Sequence, residues 1–231
     1  MDGVGVAPPS EGNAITLANT ENLDRLWPNY PHTYLEASGL NVGLPQGTDG
    51  NSEVGHMALG AGKVIFQNLP RIDNSIYNKS FFDNPMLKEA FEHAKKNKGT
   101  VHLMGLVGTG FVHASVEHLY ALIKMAADEH IKSDRVAIHI FTDGRDSATD
   151  AAIECIDKIQ AVCIQRRVGK IASIVGRAYS MDRNRNWKRT QIAYDMLVNA
   201  KGSKVKPTEW KKSIQDSYSK KVTDEYIDPI L

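Results

Sequence analysis

The sequence predicts an α/β protein with a largely parallel sheet, and three observations carry that prediction. Apolar runs of strand length occur at residues 101–107, 136–141 and 171–175. The segments between and around them place apolar residues at helical spacing. Each run empties into a loop loaded with glycine and polar side chains. Strands that alternate with helices need helical crossovers, and crossovers pair strands in parallel.

Taken in order, residues 2–19 are rich in Gly, Pro, Ser and Asn and read as a loop leading to a short helix over 22–27. Pro28 and Pro31 then enforce extended or turn structure. Residues 38–50 form another glycine-rich loop, followed by a helix over 52–59. The texture changes near residue 67. Residues 85–96 carry Met86, Leu87, Ala90 and Phe91 at helical spacing, and the first strand follows. Val116, Leu119, Leu122, Ile123 and Ala126 mark the next helix, and the second strand follows in turn. Ser147 with Asp150 three residues on gives a capping pattern for a helix whose apolar face is Ala152, Ile156, Ile159 and Cys163. Gly169 closes that helix before the third strand, and residues 187–198 form another. The last thirty residues are Lys-rich and weakly patterned.

The chain has 231 residues, 42% hydrophobic and 24% charged, with a formal net charge of +1. That balance excludes a dedicated nucleic-acid surface, which shows as a basic excess. No apolar run approaches a membrane span, and the N-terminus lacks the apolar core of a signal peptide. Cys155 and Cys163 lie two helical turns apart, too far for an unstrained disulfide, and read as buried thiols in a reducing cytoplasm.

The three strand-end loops hold Gly108-Thr109-Gly110-Phe111-Val112-His113, Thr142-Asp143-Gly144-Arg145-Asp146 and Gly176-Arg177-Ala178-Tyr179-Ser180-Met181-Asp182-Arg183. In open α/β sheets such loops face one crevice. Arginine forks match phosphate or carboxylate oxygens, and Asp146 suits a hydroxyl, so the inventory fits a small hydroxylated anion. Each residue also has a plainer reading. Arg177 and Arg183 read singly as solvated arginines, His113 as a loop hydrogen-bonder, and Asp146 as a helix-capping group. Gly105, Gly108 and Gly110 resemble a phosphate cradle without matching the dinucleotide spacing. His93, His118 and His130 read as surface histidines. Upstream, Ser52 stands among Gly50, Asn51, Glu53, Val54, Gly55 and His56. It reads either as an N-cap or as a hydroxyl that a metal-bound carboxylate, Asp2 by position, could help activate.

These segments carry a resemblance. Leu17-Ala18-Asn19-Thr20, Asn22-Leu23-Asp24, Glu36-Ala37-Ser38-Gly39-Leu40, Val42-Gly43-Leu44-Pro45 and Gly50-Asn51-Ser52-Glu53-Val54-Gly55-His56 closely resemble the 2,3-bisphosphoglycerate-independent phosphoglycerate mutases, relatives of the alkaline phosphatase superfamily. His102-Leu103-Met104-Gly105-Leu106, Asp143-Gly144-Arg145-Asp146, Ser180-Met181-Asp182-Arg183 and Asp224-Glu225-Tyr226 extend the resemblance across the chain. It implies interconversion of 3- and 2-phosphoglycerate in glycolysis and gluconeogenesis through a phosphoserine at Ser52. It further implies Asp2 and Ser52 as metal ligands, and His113, Arg145, Asp146, Arg177 and Arg183 as substrate-binding residues. Two divalent ions, Mn2+ or Mg2+, are implied, with no bisphosphoglycerate cofactor, a cytoplasmic location and a monomer as the full-length form.

The chain also departs from the family pattern. Only Met1 precedes Asp2 where an apolar strand is usual, so Asp2 is expected to fray. No Asp-His-Gly-Asn-like ligand segment occurs, and the loop before His113 differs from the usual Ser-Asp-Gly-Gly-Val-His-Ser. The expected architecture is therefore an incomplete alkaline-phosphatase-like domain over 1–66 and a mostly present phosphotransferase domain over 67–231. The first piece is expected to expose apolar surface, and the isolated chain to be inactive. The alternative is a catalytically dead phosphoglycerate-binding or interaction protein.

Overall fold

A computed structural model describes residues 1–231, and the chain divides into two compact units, 1–71 and 72–231. The division falls inside a helix, whereas the change in sequence texture points to residues 66 and 67.

The first unit is built from helices and loops. It contains α1 (Ala14–Leu17), α2 (Glu21–Leu26), a 3-10 turn at Gly39–Val42 and α3 (Ser52–Ala61). It also contains the start of α4 (Asn68–Tyr77). Residues 2–19, read as loop, include the single turn α1, capped by the Asn13 side chain. Asn51 caps α3 by accepting from the Val54 amide at 3.1 Å, which frees Ser52 from capping. Among the apolar side chains of this unit, Val42 and Val54 are buried, while Leu17, Tyr30, Tyr34 and Leu35 are exposed. The expected apolar exposure is present.

The second unit holds a three-stranded parallel sheet in the order β1 (Val101–Val107), β2 (Val136–Thr142), β3 (Lys170–Gly176). Val101 pairs with Val136 and Val107 with Thr142, so the carboxyl ends of β1 and β2 lie level. Helices α6 (Val116–Asp128) and α7 (Ala152–Arg166) make the two crossovers. Their apolar faces, Ile123, Met125 and Ala126 with Ile156, Ile159 and Cys163, close on Leu103, Ile138, Ile140 and Ile174 from the sheet. Each fully buried aliphatic side chain contributes about 1.5–3 kcal/mol. Phe91 of α5 (Pro85–Lys96) completes one edge of this core. Beyond β3 come α8 (Arg177–Ser180) and α9 (Trp187–Asn199), and α9 packs on β3.

The weakly patterned final thirty residues include α10 (Trp210–Ser219), which buries Trp210 and Ile214 in the core, and Ile230 bridges antiparallel to Ile174 at the outer edge of β3. One sequence reading changes, at α7. Its N-cap position is Ala151, and its first amide, Ala152, donates to Asp224 at 2.8 Å, so Ser147 does not cap it. The helix ends at Arg167 in a left-handed conformation, ahead of Gly169. Cys155 and Cys163 are buried free thiols, and burial pushes the Cys163 thiol up to about 11.

Candidate active site

Three strand ends of the second unit bring their polar side chains together. Asp143, at the end of β2, is buried. Its Oδ1 accepts from Arg177 Nη1 and from the amides of Arg145 (3.3 Å) and Asp146 (3.2 Å). Its Oδ2 accepts from the Ser147 hydroxyl at 2.7 Å. Burial alone would raise this carboxyl's pKa. The hydrogen bonds from Ser147 and Arg177 and from the two amides outweigh it and hold the group below the usual carboxylate range.

Arg177 opens α8 at the end of β3 and is only 6% exposed, so the solvated reading does not hold for it. Its Nη1 meets Asp143 at 2.5 Å and Asp146 at 2.6 Å. Burial works against its charge, and the two carboxylates overcome that and raise its pKa. No buried side-chain nitrogen lacks a partner. The Nε and Nη2 donors, which no carboxylate takes, therefore keep some contact with solvent. His113 Nε2 lies 3.8 Å from Asp146 Oδ2, too far for a hydrogen bond.

Arg145 is exposed on the same turn, with Nη1 3.9 Å from Glu225. Arg183 is exposed in the loop between α8 and α9, outside this network. The structure thus brings His113, Asp146 and Arg177 together, sets Arg145 beside them and leaves Arg183 apart.

The turn bearing Arg145 is held from below by residues 224–227. Gly144 adopts φ +67°, and a Cβ there would meet the Glu225 amide nitrogen at 2.6 Å. Asp224 is 1% exposed and is the hub of this support. Its carboxylate takes the Ala152 amide (2.8 Å) and the Tyr218 hydroxyl (2.5 Å), and its carbonyl takes the Thr142 hydroxyl (2.7 Å). Asp143, Ser147, Asp224 and Tyr218 were not singled out by sequence as site residues. The Asp143-Gly144-Arg145-Asp146 run is the available signal for the first of them.

In the first unit, Asp2 and Ser52 meet through His56. The His56 Nδ1 lies 2.7 Å from the Ser52 carbonyl, 3.1 Å from Asp2 Oδ2 and 3.1 Å from Ser52 Oγ. A carbonyl and a carboxylate can only accept, so Nδ1 carries the hydrogen and is not the base that deprotonates Ser52. The Asp2 side chain is 18% exposed and lies over Gly55, where a Cβ would sit 1.9 Å from Oδ1.

Asp2 and Ser52 supply two oxygen donors on one face of the first turn of α3. Hard divalent cations take about six oxygen or nitrogen donors. The pair fits part of such a shell, and no group of three or more His, Cys, Asp or Glu in the chain completes one.

A three-stranded parallel sheet with helical crossovers and an arginine–carboxylate cluster at its strand ends defines an α/β protein. Residues 72–231 match the family described as BPG-independent PGAM N-terminus, and the chain belongs to that family. It is 46% identical over 231 residues to a 2,3-bisphosphoglycerate-independent phosphoglycerate mutase of Chloroflexus aurantiacus, covering 100% of this chain and 42% of the relative. A relative of the same name from Clostridium beijerinckii is 44% identical over 231 residues, again with 100% of this chain and 44% of the relative covered. A solved structure titled as Leishmania mexicana phosphoglycerate mutase at low cobalt concentration superposes with a TM-score of 0.71 at 31% identity. That superposition covers 100% of this chain and 43% of the other. The chain therefore spans less than half the length of the relatives it matches.

Proposed function

We propose that these residues are part of a cofactor-independent phosphoglycerate mutase, interconverting 3- and 2-phosphoglycerate without bisphosphoglycerate. The observation that carries this reading is the match of the whole chain, at 43–46% identity, to relatives bearing that name. Their names favour it over the binding-protein alternative.

Ser52 is the proposed nucleophile. Its Oγ attacks the substrate phosphorus, the bond from phosphorus to the glycerate oxygen breaks, and the serine proton is balanced by one taken up on the released hydroxyl. Reversal onto the other hydroxyl completes the isomerisation. Asp2 and Ser52 are the residues here that would hold a divalent cation, Mn2+ or Mg2+, and the cobalt in the solved relative's title supports such ions. When bound, the cation supplies Lewis acidity that favours the alkoxide. The cluster of the second unit is proposed to bind the glycerate. Arg145 and the remaining donors of Arg177 suit its carboxylate, with Asp146 and His113 for its hydroxyls. Arg183 is exposed and free to join them. A cytoplasmic monomer is part of the same proposal.

The experiment is a chimera. The 231 residues are joined to the remaining part of the Chloroflexus aurantiacus relative and assayed with manganese. Interconversion of the two phosphoglycerates is expected, abolished by Ser52→Ala and reduced by Arg145→Ala. A chimera that folds yet turns over equally well with Ser52→Ala would refute the assignment. From the 231 residues alone no manganese-dependent turnover is expected, because they bring only the two oxygen donors.

A further inference from the structure

We infer that Ser147 is a positioning residue that fixes the glycine loop carrying His113 to the β2 turn. As a site for substrate it rests on the mutase reading; as a structural latch it does not. The sequence suggests a helix cap at this serine, yet its hydroxyl is spent elsewhere. Ser147 Oγ accepts from the amides of Thr109 (2.8 Å) and Gly110 (2.9 Å) and donates to Asp143 Oδ2 (2.7 Å). One hydroxyl has one proton and two acceptor sites, so all three are used.

These contacts close a ring. From Ser147 the path runs to Asp143, through Arg177 Nη1 to Asp146, and across 3.8 Å to His113. His113 follows Gly110 by three residues, which returns the path to Ser147. The loop is thus held at its amide end by a hydroxyl, and its imidazole end lies beside a carboxylate. The approach is close: a Cβ on Gly108 would lie 2.4 Å from Ser147 Oγ and 2.8 Å from Asp143 Cβ. The two amides therefore do not form the phosphate cradle that the glycine spacing resembles, because the serine already fills their hydrogen-bonding positions.

Removing the hydroxyl leaves two amides without their acceptor and Asp143 short of a donor. A lost hydrogen bond of this kind corresponds to about a tenfold change in local opening. The test uses the 231-residue chain as wild type, Ser147→Ala and Ser147→Thr. Amide hydrogen exchange is followed by NMR at Thr109 and Gly110, with thermal melting as the check on global folding, and 3-phosphoglycerate is titrated into each. Ser147→Ala is expected to exchange about tenfold faster at those two amides and to bind 3-phosphoglycerate about tenfold more weakly. Ser147→Thr, which keeps the hydroxyl, is expected to restore both. Unchanged exchange in a folded Ser147→Ala overturns the latch. Faster exchange with unchanged 3-phosphoglycerate affinity overturns its role in the site. A wild type that takes up no 3-phosphoglycerate would sink the functional reading alone, and the exchange data still decide the latch.

Discussion

The Arg177 guanidinium stands between two carboxylates, and one of them, Asp143, is 2% exposed. Taking charges from water is costly, and the cost is offset only while every partner is present. Arg177→Met keeps length and apolar volume but leaves Asp143 and Asp146 facing each other without a cation. The expected loss is about 3–5 kcal/mol of unfolding free energy, read from urea melts. Pairing it with Asp143→Asn should recover part of that loss, because one of the stranded charges is gone. Asp143 also predicts an acid response. Its folded pKa is lowered, so its contribution is complete above the ordinary carboxylate range and disappears as pH falls through the lowered value. At this scale the sequence was partly legible. His113, Asp146 and Arg177 lie at three strand ends, and parallel pairing brings such ends together. Ser147 was misread because Ser-x-x-Asp is a local pattern, while its hydroxyl is claimed by a loop 37 residues away.

At the scale of elements, the cap of α7 comes from a residue 72 positions downstream, Asp224, which itself receives the Tyr218 hydroxyl. Burial raises the Asp224 pKa, and the bonds from Tyr218 and the α7 amides oppose the rise. Tyr218→Phe removes the strongest of those donors, and about 1.5–3 kcal/mol should be lost in thermal or urea unfolding. Across the sheet, His102 Nδ1 meets His139 Nε2 at 2.9 Å and His139 Nδ1 meets Ser173 Oγ at 2.8 Å. The two facing ring nitrogens share a single hydrogen, so a second proton repels the first. Burial, then the neighbouring His102, lower the His139 pKa below 6.5. The unfolded chain therefore takes up its proton first, and stability falls as pH drops from 6.5 toward the lowered folded value. Melting temperature should decline across that window, and His139→Gln should flatten the decline; an equally steep slope in the variant would refute this account. The strands were legible because apolar runs of strand length are explicit. α10 was not, since Trp210, Ile214 and Tyr218 form a stripe one residue wide among lysines. α4 was hidden by Pro70, tolerated because it lies in the first turn, where amides lack intrahelical acceptors.

For the whole molecule, the two units differ in how much apolar surface each buries for itself. The second contains a continuous core from Phe91 to Ile230, with Ile123, Ile138, Ile156 and Ile214 at or near zero exposure. The first buries Val42 and Val54 but leaves Tyr30 63%, Tyr34 61% and Leu35 70% exposed. Folding must offset about 1–2 kcal/mol of backbone entropy per residue, which hydrophobic burial supplies at about 25 cal/mol per Å². A unit with so small a core falls on the unfavourable side of that balance, and one with a continuous core between sheet and helices does not. Residues 72–231 expressed alone should therefore unfold in one cooperative transition, with dispersed NMR amide signals. Residues 1–71 alone should show no cooperative melt, and exposed-aromatic fluorescence should change gradually with temperature. If so, Asp2 and Ser52 keep their spacing across His56 only as long as something beyond residues 1–71 stabilises that unit. A sharp, two-state melt of 1–71 would show instead that the turn packing around Gly39–Val42 and α3 suffices to hold the nucleophile in place.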